Sequence, residues 1–401
     1  MPLISKAFSN LITFSRTGGA ATYFAANGVL TTAANNEPRF DYDPATFLPR
    51  GLLIEEQRTN SIRNNTMVGA VAGTPGTPPT NWNYYNPLLL STQVVGTGVS
   101  NGITYVDIRV FGTAASSNIL SVNLESTVFI SASIGQTWTA SVWTALVGGT
   151  TTNVSNVQIK SSERDATNEL GATATNLPLT GTLVRSSATR TFTSAATIYA
   201  LPYIAFNLTA GAIDITLRIG LPQLEQGAFA TSVIPTTTTA LTRSQDRAVI
   251  NTLSPWYNAT TGTIYAEFAV TQPASGGNQF LARFSDNSYN NQIGDFINTT
   301  GFVGISTASG GVFDGLAATA VVVSANTITK AAGAYATNDL AAVKDGGAVA
   351  TDNTATIPSG LIRFDLGSDH GGLNNIKAGY LRRITYYPTR LSNAQLQTIT
   401  T

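Results

Sequence analysis

The 401-residue chain contains no cysteine, one histidine (His370) and two methionines. Without thiols there is no disulfide framework, no thiolate nucleophile and no zinc–thiolate centre. One histidine cannot build a histidine-rich metal site, and its setting, Gly367-Ser368-Asp369-His370-Gly371-Gly372, reads as a turn. Charge is also scarce. The 22 basic and 22 acidic residues make up 11% of the chain, against about 25% in ordinary soluble domains. They cancel, and no basic stripe is present to neutralise phosphates, so nucleic-acid binding is not expected. No apolar stretch approaches the roughly 20 residues of a membrane-spanning helix. Met1-Pro2-Leu3-Ile4-Ser5-Lys6-Ala7-Phe8 lacks the basic and apolar regions of a leader, so neither membrane insertion nor a cleaved signal is expected. Phosphate-binding loops, nucleophile elbows and His-Glu-x-x-His pairs are missing too.

Thr, Ser, Asn, Ala and Gly fill the space left by charge. This mixture suits antiparallel sheets with hydroxyl-rich faces and many turns, and a low charge content suits subunit contacts. In residues 1–65, Thr22 to Leu30 reads as strand, Asn-Gly turn, strand, and Pro38, Pro44 and Pro49 punctuate an extended path. With little apolar content of its own, this arm is expected to pack on a neighbouring domain or subunit. Residues 66–80, rich in Gly, Pro and Thr, form a linker. In residues 81–245 period-two alternation recurs: Val128, Ile130, Ala132 and Ile134; Trp138, Ala140 and Val142 against Thr139, Ser141 and Trp143; and Ile213, Ile215, Leu217, Ile219 and Leu221 against Asp214, Thr216, Arg218 and Gly220. Such runs place one set inside and the other in solvent. Residues 246–401 repeat the pattern at Ile264, Ala266, Phe268 and Val270, and at Ile362, Phe364 and Leu366. Asp345-Gly346-Gly347 marks a hairpin. Ser392 caps one short helix over 393–398, with Leu391, Leu396 and Ile399 on its apolar side. The expected fold is all-β: an N-terminal arm, two antiparallel β-sandwiches of jelly-roll type and a short C-terminal helix.

Candidate binding residues follow from the chemistry of sugars. A pyranose offers an apolar face to a ring and hydroxyls to amides and carboxylates. Tyr289, with Asn287, Asn290, Asn291 and Gln292, forms the loop candidate. Trp143 on the polar side of its strand and Trp256 beside Tyr257 are further platforms, as are Trp82, Tyr84 and Tyr85; each can equally serve core or interface packing. Trp138 reads as core. A glycosidase needs two carboxylates about 5–9 Å apart across a cleft. Glu55 and Glu56 are adjacent on a strand and point to opposite faces, so they cannot form that pair. Salt bridges to Arg50 or Arg58 suit them better, and Glu225 is expected near Arg243 or Arg247.

Three blocks carry a resemblance. Phe40-Asp41-Tyr42-Asp43-Pro44 with Pro49-Arg50-Gly51-Leu52-Leu53-Ile54-Glu55-Glu56-Gln57-Arg58-Thr59-Asn60 is the first, and residues 221–236 (Leu-Pro-Gln-Leu-Glu-Gln-Gly-Ala-Phe and onward) are the second. The third comprises residues 328–339, 380–388 and 391–396. They resemble segments of the structural and adhesion proteins of tailed bacteriophages: tail fibres, tailspikes and head fibres. Residues 81–245 are similar to a carbohydrate-binding-module jelly roll, and residues 246–401 to a concanavalin A-like (laminin G-like) domain, in which a late strand is followed by a short helix. The resemblance implies a virion protein assembled in the bacterial host cytoplasm. It implies a homo-oligomer, with a trimer expected, joined to other virion proteins through the arm and recognising a host cell-surface glycan. Lectin-like jelly rolls also hold calcium on loop oxygens, for which Asp286 and Asp295 are the candidates, with Asp365 and Asp369 nearby; no Asp-x-Asp-x-Asp-Gly loop is present, and no other cofactor is implied. A decoration protein without a ligand is the alternative. A polysaccharide depolymerase is the third reading, for which the sequence offers neither a facing carboxylate pair nor an evident parallel β-helix, so a non-enzymatic role is expected.

Overall fold

A computed structural model describes residues 8–274, 276–372 and 375–401; Met1 to Ala7, read above for a leader, lie outside them. The chain is mostly β, and its sheets pair into two sandwiches. In the middle sandwich, one sheet runs in the order Val184–Thr191, Thr137–Gly149, Gly211–Gln226, Ile103–Ala114, Ser91–Ser100. The facing sheet is ordered Glu169–Asn176, Val154–Arg164, Tyr199–Leu208, Asn118–Asn123, Asn83–Tyr85. Every pairing is antiparallel. Ile213, Ile215, Leu217 and Ile219 meet Val157, Ile159, Ile204 and Phe206 between the sheets; burying each such side chain contributes about 1.5–3 kcal/mol. Asp214 and Arg218 face outward, ion-paired across the sheet with Arg109 and Asp107.

Leu221 breaks the expected alternation. A bulge shifts the register between Ser141 and Trp143, and Leu221 takes φ 39°. The side chain moves to the opposite face, where it joins Phe24, Ile103, Trp143 and Val233. That face was expected in solvent, yet Thr139, Ser141 and Trp143 are all buried. The cover includes the hairpin of Ala21–Phe24 and Leu30–Ala33, which turns at Asn27-Gly28 as the sequence indicated. The run from Val128 to Ile134 is a further correction. Only Ile130–Ser131 is strand, and Val128, Phe129 and Ile134 are exposed. Residues 127–129 turn instead, with Phe129 under the Arg63 guanidinium at 3.5 Å and Arg63 held by Glu125 at 2.6 Å.

The C-terminal sandwich is assembled from distant parts of the chain. One sheet runs Thr13–Ser15, Arg247–Ile250, Arg363–Leu366, Gln279–Ser285, Gln292–Ile297, Phe302–Ser309, Val312–Val322. The other runs Ala350–Asp352, Asp339–Lys344, Thr329–Ala336, Thr261–Val270, Ala378–Tyr387, Pro49–Glu55, Phe40–Tyr42. Three strands of the 1–65 segment therefore complete these sheets. Ile264, Ala266, Phe268 and Val270 face Phe284, Ile293, Ile305 and Phe364 in the core. Ile362 falls outside its expected strand and is exposed. The helix Asn393–Thr400 begins at Ser392 in a capping box with Gln395, and Leu396 anchors it on the outer face of the second sheet.

A buried ionic clasp joins the two sandwiches. Arg39 pairs with Glu55 at 2.8 Å and with Asp246; Arg243 pairs with Glu55 at 2.9 Å, and Arg16 with Asp246 at 3.1 Å. All five side chains are essentially without solvent contact. Ser232 donates its N–H (2.7 Å) and hydroxyl (2.6 Å) to Glu55. Glu55 thus finds Arg39 and Arg243 in place of the expected Arg50 or Arg58, whereas Glu56 does pair with Arg58, at 2.6 Å. Arg50 goes to Asp43 at 2.7 Å. Glu225 accepts the N–H and hydroxyl of Thr231; Arg243 is within its electrostatic reach, as expected, without a direct ion pair. The first two resemblance blocks, at 49–60 and 221–236, meet here.

Candidate functional site

The Tyr289 loop closes the hairpin between Gln279–Ser285 and Gln292–Ile297. Residues 286–291 must reverse the chain, and Asn287 supplies a left-handed turn at φ 69°, which asparagine tolerates well. Asp286 organises the turn. Its carboxylate accepts the Ser288 N–H (2.8 Å), the Ser288 hydroxyl (2.6 Å) and the Asn291 amide (2.8 Å). Burial opposes its charge, but these bonds prevail and lower its pKa. Asn291 Oδ1 accepts the Gly310 N–H and the Asn290 carbonyl that of Gly311, tying the loop to the next turn. Asn287 Oδ1 accepts from Arg363 at 2.6 Å.

Tyr289 is 38% exposed and fixed from several directions. Its hydroxyl donates to Asp369 at 2.7 Å. His370 meets its ring edge-on, with centroids 4.3 Å apart. Beneath the loop lies Arg283, fully buried, with its guanidinium carbon 5.2 Å from the ring centroid. Arg283 donates to the Ser288 carbonyl (2.6 Å) and to Gln292, which is buried. Burial and the neighbouring Arg283 lower the His370 pKa below its ordinary value, so the ring next to Tyr289 is neutral at physiological pH. The arrangement is a preset aromatic face beside exposed Asn287 and Asn290 and half-exposed Asn291. The strand that follows the adjoining turn adds exposed Val312 and Phe313.

Other sequence candidates lie elsewhere. Trp143 is only 9% exposed, edge-on to Phe24 at 5.7 Å. Trp256 packs among Phe284, Phe364 and Tyr386, and its indole N–H donates to the Thr252 carbonyl. Trp82 is core, Tyr84 packs against the core and Tyr85 is exposed. Asp286 and Asp295 occupy different environments: Asp286 sits in the loop, whereas Asp295 is fully buried between the sheets. Burial raises the Asp295 pKa well above the usual carboxylate range, and the nearby Gly333 backbone does not offset it. Among the described residues no cluster of three or more Asp, Glu or His could hold a metal ion.

Sequence reasoning missed an open groove of about 720 Å³ between the clasp and the middle sandwich. Gln57, Gln136 and Gln226 line it with the Glu56–Arg58 pair, and Trp138 gives one edge, its indole N–H donating to Gln136 at 3.0 Å. These amides are 79 and 90 residues apart in sequence (57 to 136 and 136 to 226), so no local signal marks them.

No protein-family model matches the chain, and no curated protein matches its sequence. Solved structures share a distant likeness. The tripod from the baseplate of bacteriophage Tuc2009 matches with 12% identity over 98% of this chain and 100% of that chain, at a TM-score of 0.31. The CBM40 of Ruminococcus gnavus IT-sialidase, bound to α2,3 sialyllactose, matches with 18% identity over 36% of this chain and 84% of that chain, at a TM-score of 0.32. Domains LG4-5 of the mouse laminin α1 chain match with 12% identity over 73% of this chain and 91% of that chain, at a TM-score of 0.25.

Proposed function

We propose that the chain is a non-enzymatic surface protein of a tailed-phage virion that recognises a host-surface glycan through the Tyr289 loop. The observation that carries the glycan reading is the exposed Tyr289 ring, held by Asp369, His370 and Arg283 beside the amides of Asn287, Asn290 and Asn291. A ring fixed before binding costs little entropy on contact with a pyranose face. The virion reading rests on the three sequence blocks quoted above. Assembly as a homo-oligomer, with a trimer implied by the sequence resemblance, is supported by the edge strand Val312–Val322, which ends its sheet among the described residues and leaves Val312, Phe313, Leu316, Val321 and Val322 exposed; such an edge invites a partner. Docking to other virion proteins through residues 1–65 is supported by exposed Phe40, Phe47 and Leu48. Against a depolymerase, Glu55 is locked in the clasp.

The test is a glycan array and a host-cell binding assay on the full chain, with light scattering for the oligomer. Tyr289→Ala should weaken binding by about tenfold or more, while Tyr289→Phe keeps most of it. A stable oligomer that binds neither glycan nor cells supports the rival decoration role, to which the packing of Trp143 and Trp256 lends weight.

A further inference from the structure

A second cavity, of about 270 Å³, lies where the Ala21–Phe24 hairpin strand, the outer face of the middle sandwich and the C-terminal sandwich meet. Its lining includes Phe24, Trp143 and Arg185 together with Asp41, Arg50 and Tyr380. These groups differ in how far their hydrogen bonding is complete.

The carboxylates are satisfied. Asp41 accepts the Phe24 N–H and the Tyr380 hydroxyl, the latter at 3.0 Å. Glu55, which also lines the cavity, is held by Ser232, Arg39 and Arg243. Two donors of the lining are not. The indole N–H of Trp143 is buried with no acceptor, and so is Nε of Arg185. The terminal nitrogens of Arg185 reach only uncharged oxygens, the Thr231 carbonyl at 2.7 Å and the Ser141 hydroxyl at 2.9 Å. In the clasp, each buried arginine has a carboxylate within 3.1 Å. Arg185 has none in direct contact; Glu225 and Glu55 act on it only from longer range. A buried guanidinium without a contacting carboxylate is costly, as is a buried N–H without an acceptor.

We propose that this cavity binds a single acidic pyranose, a hexuronate, with its carboxylate on Arg185 and the Trp143 N–H and its ring against the aromatic wall of Trp143 and Phe24. The carboxylate supplies the direct ionic contact that Glu225 and Glu55 do not reach, through charge-assisted bonds. The volume falls just below the roughly 300–1,000 Å³ of drug-sized pockets, which limits the occupant to one ring. The site is separate from the Tyr289 loop and stands or falls without it.

The test is isothermal titration of the full chain with sodium D-glucuronate, and with D-glucose as its uncharged counterpart at the same pH and ionic strength. Saturable glucuronate binding is expected, with glucose at least about tenfold weaker. Trp143→Phe keeps the ring and removes the donor, and should weaken glucuronate by about tenfold; Arg185→Gln should abolish binding; Tyr289→Ala should change nothing. Melting curves without sugar establish that each variant is folded, and Trp143→Phe carries the test if Arg185→Gln does not fold. Four results overturn the proposal: no saturable glucuronate heat, which leaves a water-filled cavity; equal binding of glucose; binding that survives Trp143→Phe and Arg185→Gln; or binding that is lost only in Tyr289→Ala.

Discussion

Glu55 in the clasp and Asp295 inside the C-terminal sandwich are both carboxylates sealed from water. Burial pushes both pKa values up, but their neighbours decide the outcome. Around Glu55, Arg243, Arg39 and the two Ser232 donors overcome burial and hold the carboxyl at about 2. Among the described residues no cation acts on Asp295; neither oxygen has a well-formed hydrogen bond, and the acid stays protonated to far higher pH than usual. The same functional group is thus a charged pin in one region and a neutral filler in the other. The difference lies in what distant parts of the chain deliver: Arg39 and Arg243 are 16 and 188 residues from Glu55 (55 − 39 and 243 − 55), whereas Asp295 is met by Gly333 and Ile305 of an apolar core.

Removing a charge from the clasp should have the largest effect. Glu55→Ala leaves Arg243 buried without its carboxylate and is expected to cost about 3–5 kcal/mol, read as a lower denaturant midpoint. The two sandwiches should then lose their coupling, so a calorimetric scan should split into two transitions. A single transition at an unchanged midpoint would show that the clasp contributes nothing. The acid response follows from the same group. Its folded pKa lies below the unfolded value of 4.5, so its contribution is fully present above about pH 4.5 and is lost as pH falls towards about 2. Glu55→Gln should flatten the stability curve across that window.

Which of these features the sequence discloses depends on range. Alternation at Ile213 to Ile219 and at Ile264 to Val270 is local and reads directly as strands with an inner face. The Ser392 cap is equally local. Alternation places Leu221 on the inner face and misses its true side, because the bulge that turns it outward depends on pairing with Ser141 and Trp143 in another strand. Trp143 looked solvent-facing because nothing nearby in sequence announces that the hairpin at 21–33 covers it. The Tyr289 loop was legible as a polar turn with an aromatic ring, but its support from Arg283, Asp369 and His370 was not, since two of these lie 80 or more residues away (369 − 289 and 370 − 289). For Glu55 the clue was present: a carboxylate directly after Leu52, Leu53 and Ile54 must find partners once its strand is buried.

Smaller effects sharpen the Asp295 side. A Cβ on Gly333 would come within 1.8 Å of Asp295 Oδ1 and 2.8 Å of the Ile305 side chain. Gly333→Ala should therefore cost about 1–3 kcal/mol by overpacking. Combining it with Asp295→Ala should recover part of that loss, a non-additivity measurable in a double-mutant cycle. Full additivity would mean that the two residues do not share the space.

Asp295→Asn is expected to have the smallest effect and the most informative sign. The folded state holds the Asp295 proton more tightly than the unfolded state does, so this group's contribution is greatest below pH 3.8 and declines as pH rises towards the raised folded value. Asparagine has the same shape and no proton to lose. The variant should match the native chain near pH 3 and exceed it in stability near pH 7, the reverse of the shift expected for Glu55→Gln. Denaturant midpoints at the two pH values give the answer: equal offsets at both would mean that Asp295 is ionised in the fold and has a counter-ion after all.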